Sequence, residues 1–71
     1  MGISLKDRSE LSMAISLGHQ VMLKLVSNEV VSGRPFWGLV TTRVKVKTTE
    51  GPIWIPLDEI KHVTRMMPFR P

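Results

Sequence analysis

The stretch LVSNEVVSG, residues 25–33, decides how the rest of the chain is read. Two apolar segments flank Ser27-Asn28-Glu29, and asparagine is one of the few residues that tolerates a left-handed backbone at a turn. Before the turn, residues 20–26 alternate with a period of two. Val21, Leu23 and Leu25 share one face and Met22, Lys24 and Val26 the other, which predicts a first strand. After the turn, VVSGR at 30–34 predicts a second strand, so the stretch reads as a hairpin. Gly33 inside that strand predicts a bulge or the close approach of another backbone. Pro35 lacks an amide donor and is expected to end regular pairing or to mark an edge.

Toward the C-terminus, VTTRVKVKT at 40–48 is a third strand with Val40, Thr42, Val44, Val46 and Thr48 on one side. Thr41, Arg43, Lys45 and Lys47 take the other side. TEGP at 49–52 predicts a four-residue turn, and IWIPL at 53–57 a fourth strand with Ile53, Ile55 and Leu57 inward. A brief fifth strand covers 60–65, and a tail with two prolines follows over 66–71. Toward the N-terminus a short helix is expected over about 8–17, with Asp7 as its cap and Glu10 reaching back. Its apolar stripe is Leu11, Ala14 and Ile15, and Gly18 supplies the stop. One helix and five short twisted strands do not bury their faces as a flat sheet. The expected fold is therefore mainly β: a small, strongly bent, five-stranded antiparallel barrel with one N-terminal helix over an open end. The whole chain, 1–71, reads as one domain.

Composition narrows the function. A domain of 71 residues buries only about 60% of the surface its unfolded chain exposes. With no cysteine and two histidines far apart in sequence, neither disulfides nor a metal are expected to supplement that core. Homo-oligomerisation is the expected extra source of stability. The formal net charge of +4 is compatible with a polyanionic partner. No apolar run reaches the length of a signal peptide or a membrane span, so a soluble cytoplasmic protein without a membrane partner is expected. The six acids lie mostly at helix starts or turns, and no nucleophile–base constellation or glycine-rich phosphate loop appears. Neither catalysis, a cofactor nor a small-molecule substrate is expected.

The register Leu25, Asn28, Val31 and Gly33 resembles the first motif of the Sm-like proteins, the family that includes the bacterial Hfq RNA chaperones. The leading helix, the strand order and the closing IPLDEIKHV, with Ile60 and Val63 as the apolar pair of the last strand, are similar too. The resemblance implies a ring-forming or otherwise homo-oligomeric small barrel that binds RNA. The positions matching the family's nucleotide-pocket Asp and Asn carry Leu39 and Arg43, and those matching its Lys-His pair carry Leu57 and Asp58. The family's pocket residues are therefore not carried over. The chain is also similar to the YolD-like and Rof-like small barrels, which implies a protein-interaction adaptor as the alternative.

The candidate contacts follow. Arg43, Lys45 and Lys47 alternate along one strand, and Trp54 is expected among them on the outer face. A four-residue turn at 49–52 places Lys47 opposite Trp54 and Lys45 opposite Pro56. Cations that neutralise phosphates beside a ring that stacks on a base are the ingredients of an RNA-binding surface. The competing reading is a solvated face kept soluble by lysine. Phe36 and Trp37 lie in a loop bounded by glycines, where one is expected to close the barrel and the other to meet a partner or subunit. Met66, Met67 and Phe69 add apolar surface for the same purpose.

Overall fold

The computed structural model describes residues 3–66. Its elements are helix α1 (Leu5–Leu17) and strands β1 (Gln20–Leu25), β2 (Val30–Trp37), β3 (Arg43–Thr48), β4 (Gly51–Pro56) and β5 (Ile60–Met66). A 3-10 turn, Leu57–Glu59, joins β4 to β5. The five strands form one antiparallel sheet in the order β4-β3-β2-β1-β5. Met67 and Phe69 lie outside the described residues, whereas Met66 ends β5, half-buried and opposite Gln20.

The hairpin at 25–33 forms around Asn28, the one described non-glycine residue with positive φ, at 74°. The register pairs Leu23 with Val31 and Val21 with Gly33. Beyond that pair β2 leaves β1 and runs beside β3 instead, from Arg34 opposite Lys47 to Trp37 opposite Val44. Pro35 therefore does not end the strand. It is buried opposite Val46, past the start of β1, where a strand runs along one side only and one missing donor is tolerated. Gly33 stands at the handover. A Cβ on it would lie 2.5 Å from the Lys47 carbonyl oxygen and 2.8 Å from Val46 Cγ1, so hydrogen alone fits.

The β3–β4 hairpin is tighter than expected. Thr49 and Glu50 make a two-residue turn, Gly51 takes φ 119°, and the Thr48 hydroxyl donates to the Gly51 carbonyl at 2.7 Å. Val40 and Thr42 are exposed in the 38–42 loop instead of extending β3, because the Thr42 carbonyl accepts from the Leu57 amide at 2.9 Å. Ile55 and Leu57 enter the core, but Ile53, near the hairpin end of an edge strand, remains 39% exposed.

The helix begins earlier than expected because Ser4, not Asp7, is its cap. The Asp7 amide donates to Ser4 Oγ at 3.1 Å, and Ser4 Oγ donates to Asp7 Oδ2 at 2.9 Å, a reciprocal arrangement like a capping box. Asp7 is buried, and its Oδ1 accepts from the Val63 amide at 3.2 Å with His62 Nδ1 3.4 Å away. Glu10 closes no box; its Oε1 lies 3.3 Å from Arg65 Nε, close enough for an ion pair without an aligned hydrogen bond. One helix turn is thus tied to β5 by a carboxylate. Leu11 and Ala14 are buried, Ile15 is partly so, and Gly18 stops the helix with φ 71°.

Strand β5 carries a bulge. Leu25 pairs with Ile60 and Lys24 with His62, which leaves Lys61 unmatched. That extra residue lets Ile60 and Val63, three apart, both point inward. Connectivity then requires curvature. In a flat sheet the edge strands β4 and β5 would stand about 19 Å apart, while a three-residue 3-10 turn advances only ~6–8 Å. The sheet must bend and twist until the end of β4 meets the start of β5. It stays open, because β4 and β5 are not hydrogen-bonded neighbours. The core enclosed by the bend is Leu11, Ala14, Val21, Leu23, Val44, Val46, Ile55, Leu57, Ile60 and Val63.

Two substitutions test this frame by urea denaturation. Gly33→Ala drives a methyl into the Lys47 carbonyl and is expected to cost about 2–3 kcal/mol or to prevent folding; an unchanged midpoint would contradict the close approach. Asp7→Ala strands the Val63 amide and removes the box, with an expected loss of ~1–3 kcal/mol.

Candidate functional site

Period-two alternation sends every second residue of β2, β3 and β4 away from the core. Val44 and Val46 are buried, so Arg43, Lys45 and Lys47 face outward. Pairing places their neighbours in three rows across the strands. Arg34, Lys47 and Pro52 form one row; Phe36, Lys45 and Trp54 the next; Arg43 and Pro56 the last. The expected register is thus corrected by two residues: Lys45, not Lys47, stands opposite Trp54, and Lys47 faces Pro52. The cause is the two-residue turn at Thr49-Glu50.

The centre of this face is an aromatic–cation–aromatic sandwich. Lys45 Nζ lies 5.8 Å from the Phe36 ring centroid and 6.0 Å from that of Trp54. Arg34 Cζ is 5.6 Å from the Phe36 centroid, and Arg43 Cζ is 5.0 Å from the Trp54 centroid. At these distances each cation is held by a ring quadrupole, worth roughly 0.5–1 kcal/mol at an exposed site. Trp54 is 49% exposed. No carboxylate occupies any position in the three rows, and among the described residues none of the four cations enters an ion pair. The face therefore presents four positive charges, three of them (Arg34, Arg43 and Lys45) held over two aromatic rings and the fourth, Lys47, beside them.

Phe36 and Trp37 are corrected together. Neither is in a loop: both belong to β2, where alternation separates them. Trp37 packs against the core opposite Val44, while Phe36 joins the cations outside. Both are partly exposed, so neither is the fully buried plug expected of one of them. Arg34 and Phe36 are the members of the face that the sequence does not point to, because the second strand is expected to end at residue 34 and Pro35 to end regular pairing or mark an edge. The edge-like alternative is the one that fits, since a strand runs along one side of Pro35 only. The usable signal was the parity of Arg34, Phe36 and the buried Gly33 and Pro35. Gly38 is a further omission: a Cβ there would lie 2.8 Å from Trp54 Cη2, so the missing side chain makes room for the indole.

Other clusters offer less. Leu39 projects fully into solvent. Among the described residues, no three of His, Cys, Asp and Glu stand together as metal ligands. Among them, no helix is long and apolar enough to cross a membrane. A cleft of about 520 Å³ between the start of α1 and the 3-10 turn is lined by Arg8, Thr41, Thr42 and Asp58 with Ile3 and Leu57, and so carries both signs of charge. Comparison of the chain with protein-family models, curated proteins and solved structures returns no significant match.

Gly38→Ala tests the seat of Trp54. The flexible indole is expected to move outward, raising quenching of tryptophan fluorescence by acrylamide, with stability changed by less than ~1 kcal/mol. Unchanged quenching would show that Gly38 does not set the ring's position.

Proposed function

We propose that the chain is a non-catalytic, cytoplasmic binding module of the Sm-like small-barrel type that assembles with copies of itself and contacts single-stranded RNA through the outer face of β2, β3 and β4. The observation that carries this reading is Lys45 between Phe36 and Trp54, flanked by Arg34, Arg43 and Lys47 and free of carboxylates. The exposed Trp54 and the partly exposed Phe36 offer π-faces to any base, and the cations beside them displace the counterions of a phosphate backbone. A solvated face kept soluble by lysine needs neither ring, and usually mixes in acids.

The strand order supports self-association. Strands β4 and β5 are the two edges of the sheet, where a second copy can pair. A bent, open five-stranded antiparallel sheet with a leading helix supports the small-barrel reading. The adaptor reading draws less support, since Trp37 packs on the core and Phe36 stands among cations instead of in an apolar patch.

Titration with an unstructured RNA at about 50 mM and about 200 mM salt tests the reading. Affinity is expected to fall with salt, and Trp54→Ala to weaken binding by roughly tenfold, corresponding to ~1–3 kcal/mol for one stacked base. Absence of binding at the lower salt would refute it. Solution mass is expected to be that of a homo-oligomer; a monomer would remove self-assembly from the proposal.

A further inference from the structure

Stacking on Phe36 and Trp54 leaves one feature of the face unexplained, the direct opposition of Arg34 and Lys47 on adjacent strands. Like charges directly across an antiparallel pair destabilise the sheet, and among the described residues neither Arg34 nor Lys47 forms an ion pair. The two cations line a cleft of about 360 Å³ with Gln20, Ser32, Thr48 and Thr49, all neutral and polar. Arg34 is positioned before any ligand arrives. Its Nη2 lies 2.8 Å from where Gly18 would carry a Cβ, at the C-terminal end of α1, and its Cζ stands 5.6 Å from the Phe36 centroid. A guanidinium, an ammonium and the hydroxyls of Ser32 and Thr49 around one opening are matched to a phosphate oxyanion, the Thr48 hydroxyl being donated to the Gly51 carbonyl.

We propose that the Arg34–Lys47 cleft is the seat of one backbone phosphate of the bound single strand, with the adjoining base stacked on Phe36. This rests on the RNA-binding reading above. The next outward row begins two residues further along the strands, about 6.8 Å away, a separation that a phosphate and its own base bridge readily. Cation and ring thus read one nucleotide as a unit, which fixes where the strand enters the face and leaves base identity free.

The test compares three proteins by RNA titration across a salt series, followed by tryptophan fluorescence: wild type, Arg34→Gln/Lys47→Gln, and Lys24→Gln/Lys61→Gln. The last removes the same charge from β1 and β5, away from the cleft. Losing one phosphate contact is expected to lower the slope of log affinity against log salt by about 0.7, with quenching at saturation retained. The β1/β5 variant is expected to keep the wild-type slope. Unchanged slope in Arg34→Gln/Lys47→Gln, or equal losses in both variants, would overturn the phosphate seat while leaving RNA binding intact. Failure of the wild type to bind RNA would overturn both readings. Inorganic phosphate, added against chloride at equal ionic strength, separates the two sources of the anion. No displacement of RNA supports a backbone phosphate, and full displacement would overturn it in favour of a free-anion site. Retained circular dichroism in both variants shows that the comparison concerns folded protein.

Discussion

Gly33 and the carbonyl of Lys47 approach more closely than any side chain permits, and the rest of the architecture follows from that contact. It is the point at which β2 stops pairing with β1 and starts pairing with β3, so one strand serves two halves of the sheet. A residue with a Cβ would hold the halves apart and open the bend. With the bend in place, Val21 and Leu23 on one half face Val44 and Val46 on the other, and a chain of modest length encloses a core.

The second constraint is the buried carboxylate of Asp7. It satisfies the N-terminal end of α1 through Ser4 and the backbone of β5 through Val63, in a position closed to water. Beside it, the Lys61 bulge turns Ile60 and Val63 to the same side, beneath Leu11 and Ala14. The helix is therefore fixed on the sheet by one polar tie and one apolar stripe, and the outer face of β2, β3 and β4 is left uncovered.

That uncovered face is where charge and aromatic rings concentrate. Its arrangement is a consequence of pairing: Phe36 and Trp54 are 18 residues apart in the chain, yet both flank Lys45 because β3 runs between β2 and β4. The alternation of Arg43, Lys45 and Lys47 was legible from the letters, as was the presence of Trp54. The partner of each cation was not, because a two-residue turn and a four-residue turn differ by two positions of register, and Thr49-Glu50-Gly51-Pro52 is compatible with either. Phe36 escaped for a related reason. A proline costs a strand one donor, and whether that loss matters depends on whether a second strand runs alongside.

Local chemistry was sufficient for the hairpin at 25–33, for the left-handed Asn28 and Gly18, and for the inward faces of β1 and β3, since each depends on backbone sterics or period-two burial within a few residues. For Gly33 it left a bulge or the close approach of another backbone, and the structure has the close approach. It did not identify Ser4 as the cap, because Ser4 and Asp7 are both good capping residues, and the choice was made by the Val63 amide 56 positions away. Nor did it show that the sheet stays open at β4 and β5, or that Arg34 and Lys47 share a cleft. Those outcomes are set by which strands meet across long loops. Such contacts depend on the packing of the whole core and leave no periodic mark in any single segment.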